Sequence, residues 1–304
     1  MASIRFLPAM LAALALAHAQ VNIEPRAKPG SQTPRPNLRV DSNLVLVPVS
    51  VVDERNHPIT GLERGNFRVF DEGVERPISA FGMEDEPVAL GLIFDHSGSV
   101  ASVMRGEAEM TRMFLKTSNP GDEYFLVVFA GRPELAVPLT SSKAEVQYRI
   151  LTMKVGGYTA LFDGVALGLN ELKKSNLSRK ALLVVSDGGE NNSRYTQREL
   201  GEIVEESDAL IYAIGFASWQ ANFPLLKWMA ELSGGLAILA QGESMADIAA
   251  KIALELRNLY VLGFSASEIP HDGRTHSLRV QLVTPPGLPA LKASWRRSYR
   301  APEN

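Results

Sequence analysis

The sequence predicts an α/β fold: a mostly parallel sheet with helices on both faces, flanked by a small β-sandwich-like unit built from the N- and C-terminal strands. Three observations lead there. The short apolar runs VALGLIFD (88–95), EYFLVVFA (123–130), KALLVVSD (180–187) and ALIYAIGF (209–216) are rich in branched residues and suit strands buried on both faces. Helical stretches separate them, and strand–helix alternation of this kind builds a parallel sheet. Before residue 86 and after residue 258 the rhythm changes to short strands joined by turns, with no helix among them.

Taken in order, the chain opens on MASIRFLPAMLAALALAHAQ. Arg5 forms a positive n-region, Phe6 to Ala17 an apolar core, and Ala17-His18-Ala19 a cleavage site, so 1–19 reads as a secretory signal peptide. The apolar run is shorter than the roughly 20 residues of a membrane span. Residues 20–37 are rich in Pro and charge and read as an extended linker. The segment 38–85 carries LVLVPVSVVD, with Val45, Val47, Val49 and Val51 on one face, then FRVFDEG and RPISAFGM as a second and a third strand. Helical signals follow at 103–118, 143–152, 160–175, 196–207 and 243–259. Three of these open on capping-box patterns, Ser142 to Glu145, Thr196 to Glu199 and Ser244 to Asp247. The α/β domain is expected over 86–258. The tail 259–300, with YVLGFS, THSLRVQLV and LKASWRRSY, is expected to pair with 38–85, which makes the α/β domain an insertion between two β segments.

Composition narrows the function. Of 304 residues 45% are hydrophobic and 21% charged, as in a globular protein. There is no Cys, which removes thiol catalysis, zinc–thiolate sites and disulfide staples. Loss of Arg5 with the signal leaves 30 Lys and Arg against 34 Asp and Glu, a net charge of −4 with no footprint for nucleic acid or an anionic membrane. Trp295 and Tyr299 interleave with Arg296, Arg297 and Arg300 in the tail, a pattern read here as a terminal strand with one solvated face.

In an open parallel sheet, ligands bind beyond the carboxyl ends of the strands. Asp95 ends the first core strand, and Ser97 and Ser99 follow at alternate positions in DHSGS. Thr159 lies in the Gly-rich loop VGGYTALFDG, and Asp187 ends a further strand in KALLVVSDGGEN. Each alone is an ordinary helix-capping residue. Together at one sheet edge they make five small oxygen donors suited to a hard cation such as magnesium. Two carboxylates against a doubly charged ion, with neutral hydroxyls elsewhere, leave the metal electrophilic and favour an outside carboxylate in an open position. That is a binding device and needs no reaction.

These three segments resemble a metal-ion-dependent adhesion site, the signature of the von Willebrand factor type A domain, which has a Rossmann-like fold. The resemblance implies one Mg2+ or Mn2+ ion, contacted directly by Ser97 and Ser99. Thr159 would contact it directly or through water, and Asp95 and Asp187 largely through water. VASVMR after Ser99 lacks the acidic pair that gives some integrin domains a second metal. The flanks ITGLERGNFRVFDEGVERPISAF and YVLGFS…DGRTHSLRVQLV…RRSYRAP resemble those of the VWFA-related acidobacterial family. The implied function is an exported, non-catalytic, adhesion-type module binding a protein that offers an acidic side chain. The alternative is a structural or assembly subunit of an envelope complex whose metal only stabilises the fold.

Enzyme readings fare worse. A haloacid-dehalogenase-type phosphatase needs a second Asp where Ser97 stands, and so lacks its proton donor. Ser97 has no G-x-S-x-G elbow, and the phosphate-binding G-x-x-x-x-G-K-[ST] is absent. His96 is expected to point away from Ser97. Asp163 is expected to form local hydrogen bonds, and Glu190 to be solvated.

Overall fold

The protein is described from a computed structural model over residues 44–83, 85–97, 104–153, 156, 158–218, 221–267, 269–288 and 290–301. The segments expected to be a signal peptide (1–19) and a linker (20–37), together with Ser99, lie outside the described residues. The element order is β1 (Leu44–Val52), β2 (Phe67–Asp71), β3 (Val74–Arg76), β4 (Ala80–Met83), β5 (Val88–Asp95), α1 (Met104–Lys116), β6 (Glu123–Phe129) and β7 (Pro133–Thr140). It continues with α2 (Lys143–Leu151), α3 (Leu161–Leu172), β8 (Arg179–Ser186), α4 (Gln197–Glu205), β9 (Leu210–Gly215), α5 (Phe223–Ser233), β10 (Ala237–Leu239) and α6 (Met245–Arg257). The last strands are β11 (Tyr260–Ser265), β12 (Thr275–Leu282), β13 (Lys292–Trp295) and β14 (Ser298–Arg300).

Six strands form the central sheet in the order β10-β9-β8-β5-β6-β7, parallel except for β7, which runs antiparallel to β6. Every residue of β5 is buried, as a strand covered on both faces requires. On one face Met110 and Phe114 of α1, Val146 and Ile150 of α2, and Ile248 and Ile252 of α6 pack on Leu90, Leu92 and Phe94. On the other, Leu161 and Val165 of α3, Leu200 of α4 and Met229 of α5 pack on Ile93, Phe125 and Val184. The close packing depends on Gly91, where an added Cβ would lie 2.1 Å from the Phe125 ring and 2.5 Å from Leu182.

The capping residues act as read. Ser142, Thr196 and Ser244 each accept the backbone N–H three residues on, and Thr196 with Glu199 completes the reciprocal box. Three elements escape the sequence reading. Helix α5 has its own signals, with Asn222 as N-cap, Pro in the first turn and Gly234 at φ +87° as C-cap. Strand β7 is an edge strand carrying Pro133 and Pro138, which mask a strand pattern. Strand β10 is only three residues long.

The flanking segments build two antiparallel four-stranded sheets, β13-β1-β11-β4 and β14-β12-β2-β3. Val45 pairs with Phe264 and Val47 with Leu262, which joins the N- and C-terminal segments directly. The valine face of β1 packs with Tyr260 and Phe264 against Phe67, Val69, Leu278, Val280 and Tyr299 of the second sheet. Two predicted strands are each divided. RPISAFGM ends β3 in one sheet and begins β4 in the other, and LKASWRRSY splits into β13 and β14. In the first, Pro77 breaks the ladder, and in the second the chain crosses at Arg296-Arg297. Among the described residues no helix is long and apolar enough to cross a membrane.

The α/β part and the sandwich share one compact unit, and Glu255 of α6 lies fully buried at their seam between Tyr212 of β9 and Ser50 of β1. Neither hydroxyl closes a well-aligned bond to it, and burial pushes its carboxyl up to about 7. Because the folded pKa lies above the ordinary 4.5, this group's contribution is intact below pH 4.5 and is lost as pH rises toward 7. Two outcomes are expected. Urea titrations of Glu255→Gln should remove about 3 kcal/mol of pH dependence between those limits and leave the variant the more stable form at pH 8. Gly91→Ala should cost about 1–3 kcal/mol by overpacking against Phe125, read as a lower denaturation midpoint at unchanged slope.

Candidate metal-binding site

The chain runs from β5 through α1 to β6 on one side of the sheet, then crosses to β8 on the other. The loops leaving β5 and β8 therefore diverge, which opens a crevice at the topological switch point. Parallel register sets Phe94 opposite Val185, so Asp95 and Ser186 end neighbouring strands. The Ser186 hydroxyl donates to Asp95 Oδ2 at 2.7 Å, and the Ser97 backbone N–H donates to Asp95 Oδ1 at 2.9 Å. The Ser97 hydroxyl also bonds Asp95. Asp187 accepts the Gly189 N–H at 2.7 Å and the Ser218 hydroxyl at 2.6 Å. Gly188, at φ +79°, lets the chain turn beneath Asn222, where a Cβ would come within 2.4 Å of its carbonyl oxygen.

Thr159 joins this edge through backbone contacts. Its N–H donates to Asn191 Oδ1 at 3.0 Å, and its carbonyl accepts the N–H groups of Asn191 and Asn192. The Gly156 N–H donates to the His96 carbonyl at 2.9 Å, and the Ala160 N–H donates to the Ala130 carbonyl at the end of β6. The loops that carry Asp95, Ser97, Thr159 and Asp187 are thus laced together, and all four residues are buried.

The electrostatics are unusual for a mere set of caps. Asp95 is 0% and Asp187 1% exposed. Among the described residues no Lys, Arg or His forms an ion pair with either. Burial raises the Asp95 carboxyl above its ordinary range, the Ser97 and Ser186 hydrogen bonds pull it back, and the neighbouring Asp187 charge raises it further. Two buried carboxylates that lack a counter-charge among the described residues fit a cation, to which the hydroxyls of Ser97 and Thr159 would add neutral oxygen donors. No group of three His, Cys, Asp or Glu side chains gathers anywhere among the described residues, so a cation here would rely on hydroxyl and water ligands.

Of three supporting residues, Glu190 departs from expectation, whereas His96 and Asp163 do not. His96 does turn away from the crevice, but into the protein, where its Nε2 lies 3.1 Å from Glu107 Oε2 of α1 and both are buried. Burial raises the Glu107 carboxyl, and the His96 contact opposes that shift. Glu190, half-buried, is not a free solvated side chain. It accepts the N–H groups of Phe162, Asn192 and Ser193 and the Ser193 hydroxyl. It thus serves the start of α3, where Ala160 offers no side-chain cap. Asp163 accepts from the Arg194 and Tyr195 N–H groups and from Arg194 Nε, the local role expected of it.

The sequence profile of the von Willebrand factor type A domain matches residues 90–190, a span that contains Asp95, Ser97, Ser99, Thr159 and Asp187. The chain carries a von Willebrand factor type A domain. Among solved structures, a von Willebrand factor type A protein from Catenulispora acidiphila superposes with a TM-score of 0.52 at 11% identity, covering 85% of this chain and 72% of that one. Proximal thread matrix protein 1 from the mussel byssus, in a structure with a zinc-occupied adhesion-site motif, gives 0.50 at 16% identity over 61% of this chain and 49% of that one. An uncharacterized protein of Borreliella burgdorferi is 26% identical over 113 residues, 36% of this chain and 33% of the relative, so the match spans about a third of that protein.

Within the type A domain the His96–Glu107 contact is the hidden support of the Asp95 turn. His96→Ala should cost about 3 kcal/mol or more, because it strands a buried carboxyl. Adding Glu107→Gln should recover part of that loss in the same chemical-denaturation assay, whereas an equal loss in the double variant would mean that His96 matters through packing alone.

Proposed function

We propose that this chain is an exported, non-catalytic protein-binding module. Its type A domain would hold one divalent cation, magnesium or manganese, through Asp95, Ser97, Ser99, Thr159 and Asp187. The ion would keep one open position for an acidic side chain of a partner protein, in the manner of an adhesion site. The observation that carries this reading is the pair of buried carboxylates at the switch point, Asp95 and Asp187, which have no cationic partner among the described residues. Type A domains commonly mediate protein–protein interaction, and the zinc-occupied motif of the mussel byssus neighbour supports a metal at such a site. The signal-like first 19 residues support export.

The test uses residues 20–304 and an Asp95→Ala variant checked for folding. Magnesium at one hundred times its dissociation constant should add about 2.7 kcal/mol of stability to the wild type and nothing to the variant. In pull-downs from an envelope extract, a partner retained by wild type in magnesium, and lost with chelator or Asp95→Ala, is the expected outcome. Stabilisation by the ion together with capture insensitive to both changes would instead favour the assembly-subunit reading, with contacts made by the sandwich. No effect of the ion on stability would remove the metal from either reading.

A further inference from the structure

The loops around the site do more than hold it. Tyr158, immediately before Thr159, is 70% exposed, and Tyr195 in the loop after Asp187 is 40% exposed. Large aromatic side chains left in solvent beside a crevice are the residue type that anchors protein interfaces. The hydrogen bonds already described place them on one continuous rim. Asn191 and Asn192 bind the Thr159 backbone, the Asn192 side-chain amide donates to the Gly131 carbonyl, and the Tyr195 N–H is held by Asp163.

The accessible charge on this rim is predominantly positive. Arg132, next to Gly131, is exposed and forms no ion pair among the described residues. Arg194 is anchored by Nε to Asp163 at 3.0 Å, yet its side chain is 86% exposed, so the terminal guanidinium nitrogens remain available. The nearby carboxylates have partners: Asp163 and Glu190 bind loop N–H groups, and Glu134, 62% exposed, pairs with Arg149 at 2.9 Å. Fixed loops presenting two arginines and two tyrosines cost little ordering entropy on binding.

We infer that the rim formed by Arg132, Tyr158, Arg194 and Tyr195 selects the partner segment: an acidic peptide stretch of another protein in which apolar or aromatic side chains flank the carboxylate. This deepens, and rests on, the metal-site reading above. The tyrosines cover the apolar flanks and the arginines read additional acidic positions through charge-assisted bonds.

The probe is a yeast-displayed library of random twelve-residue segments, selected on residues 20–304 in magnesium. Enriched segments should be acidic with apolar or aromatic flanks. Arg132→Glu with Arg194→Glu should abolish the excess of acidic positions, and Tyr158→Ser with Tyr195→Ser should weaken binding of enriched segments at least tenfold. Magnesium affinity, read by calorimetry, should stay within about threefold in the tyrosine variant, which marks the loss as one of docking and not of the ion. Enrichment that depends on magnesium and Asp95 but ignores the rim substitutions overturns the rim and spares the metal site. Enrichment that follows the rim but persists in chelator spares the rim and overturns the metal site. No enrichment in any arm overturns the rim.

Discussion

Parallel pairing of β5 with β8 at the point where the chain changes sides is the constraint on which the site depends. It brings Asp95 beside Ser186 and leaves the following loops no choice but to part. Close approach of β5 to its neighbours requires Gly91, and α3 seats on Ile93 through Gly168, where a Cβ would meet the isoleucine at 2.6 Å. The same packing that stabilises the sheet thus holds two carboxylates in a low-dielectric environment, where an uncompensated charge is costly.

Around that pair, polar side chains do the work that backbone ladders do elsewhere. Glu190 and Asp163 each bind two or more N–H groups of the 188–195 loop or the α3 start, and Asn191 ties this loop to Thr159. A loop satisfied in this way keeps a fixed shape without regular structure. His96 and Glu107 perform the corresponding task on the other side, fastening the Asp95 turn to α1. The donors are therefore held by neighbours that are themselves held, which is what pre-organised binding needs.

The sandwich is continuous with this apparatus. Helix α6 packs on the sheet through Ile248 and Ile252, then leads directly into β11, the strand that pairs with β1. At the same seam the Arg296 guanidinium binds the Leu46 carbonyl and Asp208, joining β1 to the loop after α4. Burial of Glu255 here is a local cost within the packing of α6 against β9 and β1.

Residue pattern alone dictates the fold class, because a strand buried on both faces can only be built from runs such as VALGLIFD and KALLVVSD, and because alternation with helices leaves few topologies. It also showed three of the helix starts through Ser142, Thr196 and Ser244, since a cap acts on residues three positions away. The candidate donors were legible for a similar reason: they sit at strand ends, and strand ends share an edge. It did not reveal where RPISAFGM and LKASWRRSY divide, since the same residues suit either sheet and only packing assigns them. Nor did it reveal His96 with Glu107, Ser186 with Asp95, or the exposure of Tyr158 and Tyr195. Those depend on which side chains meet across 11 to 91 positions of sequence, or meet nothing at all. Local pattern encodes what the backbone does over a few residues, whereas contact, burial and charge balance exist only once the sheet has closed its order.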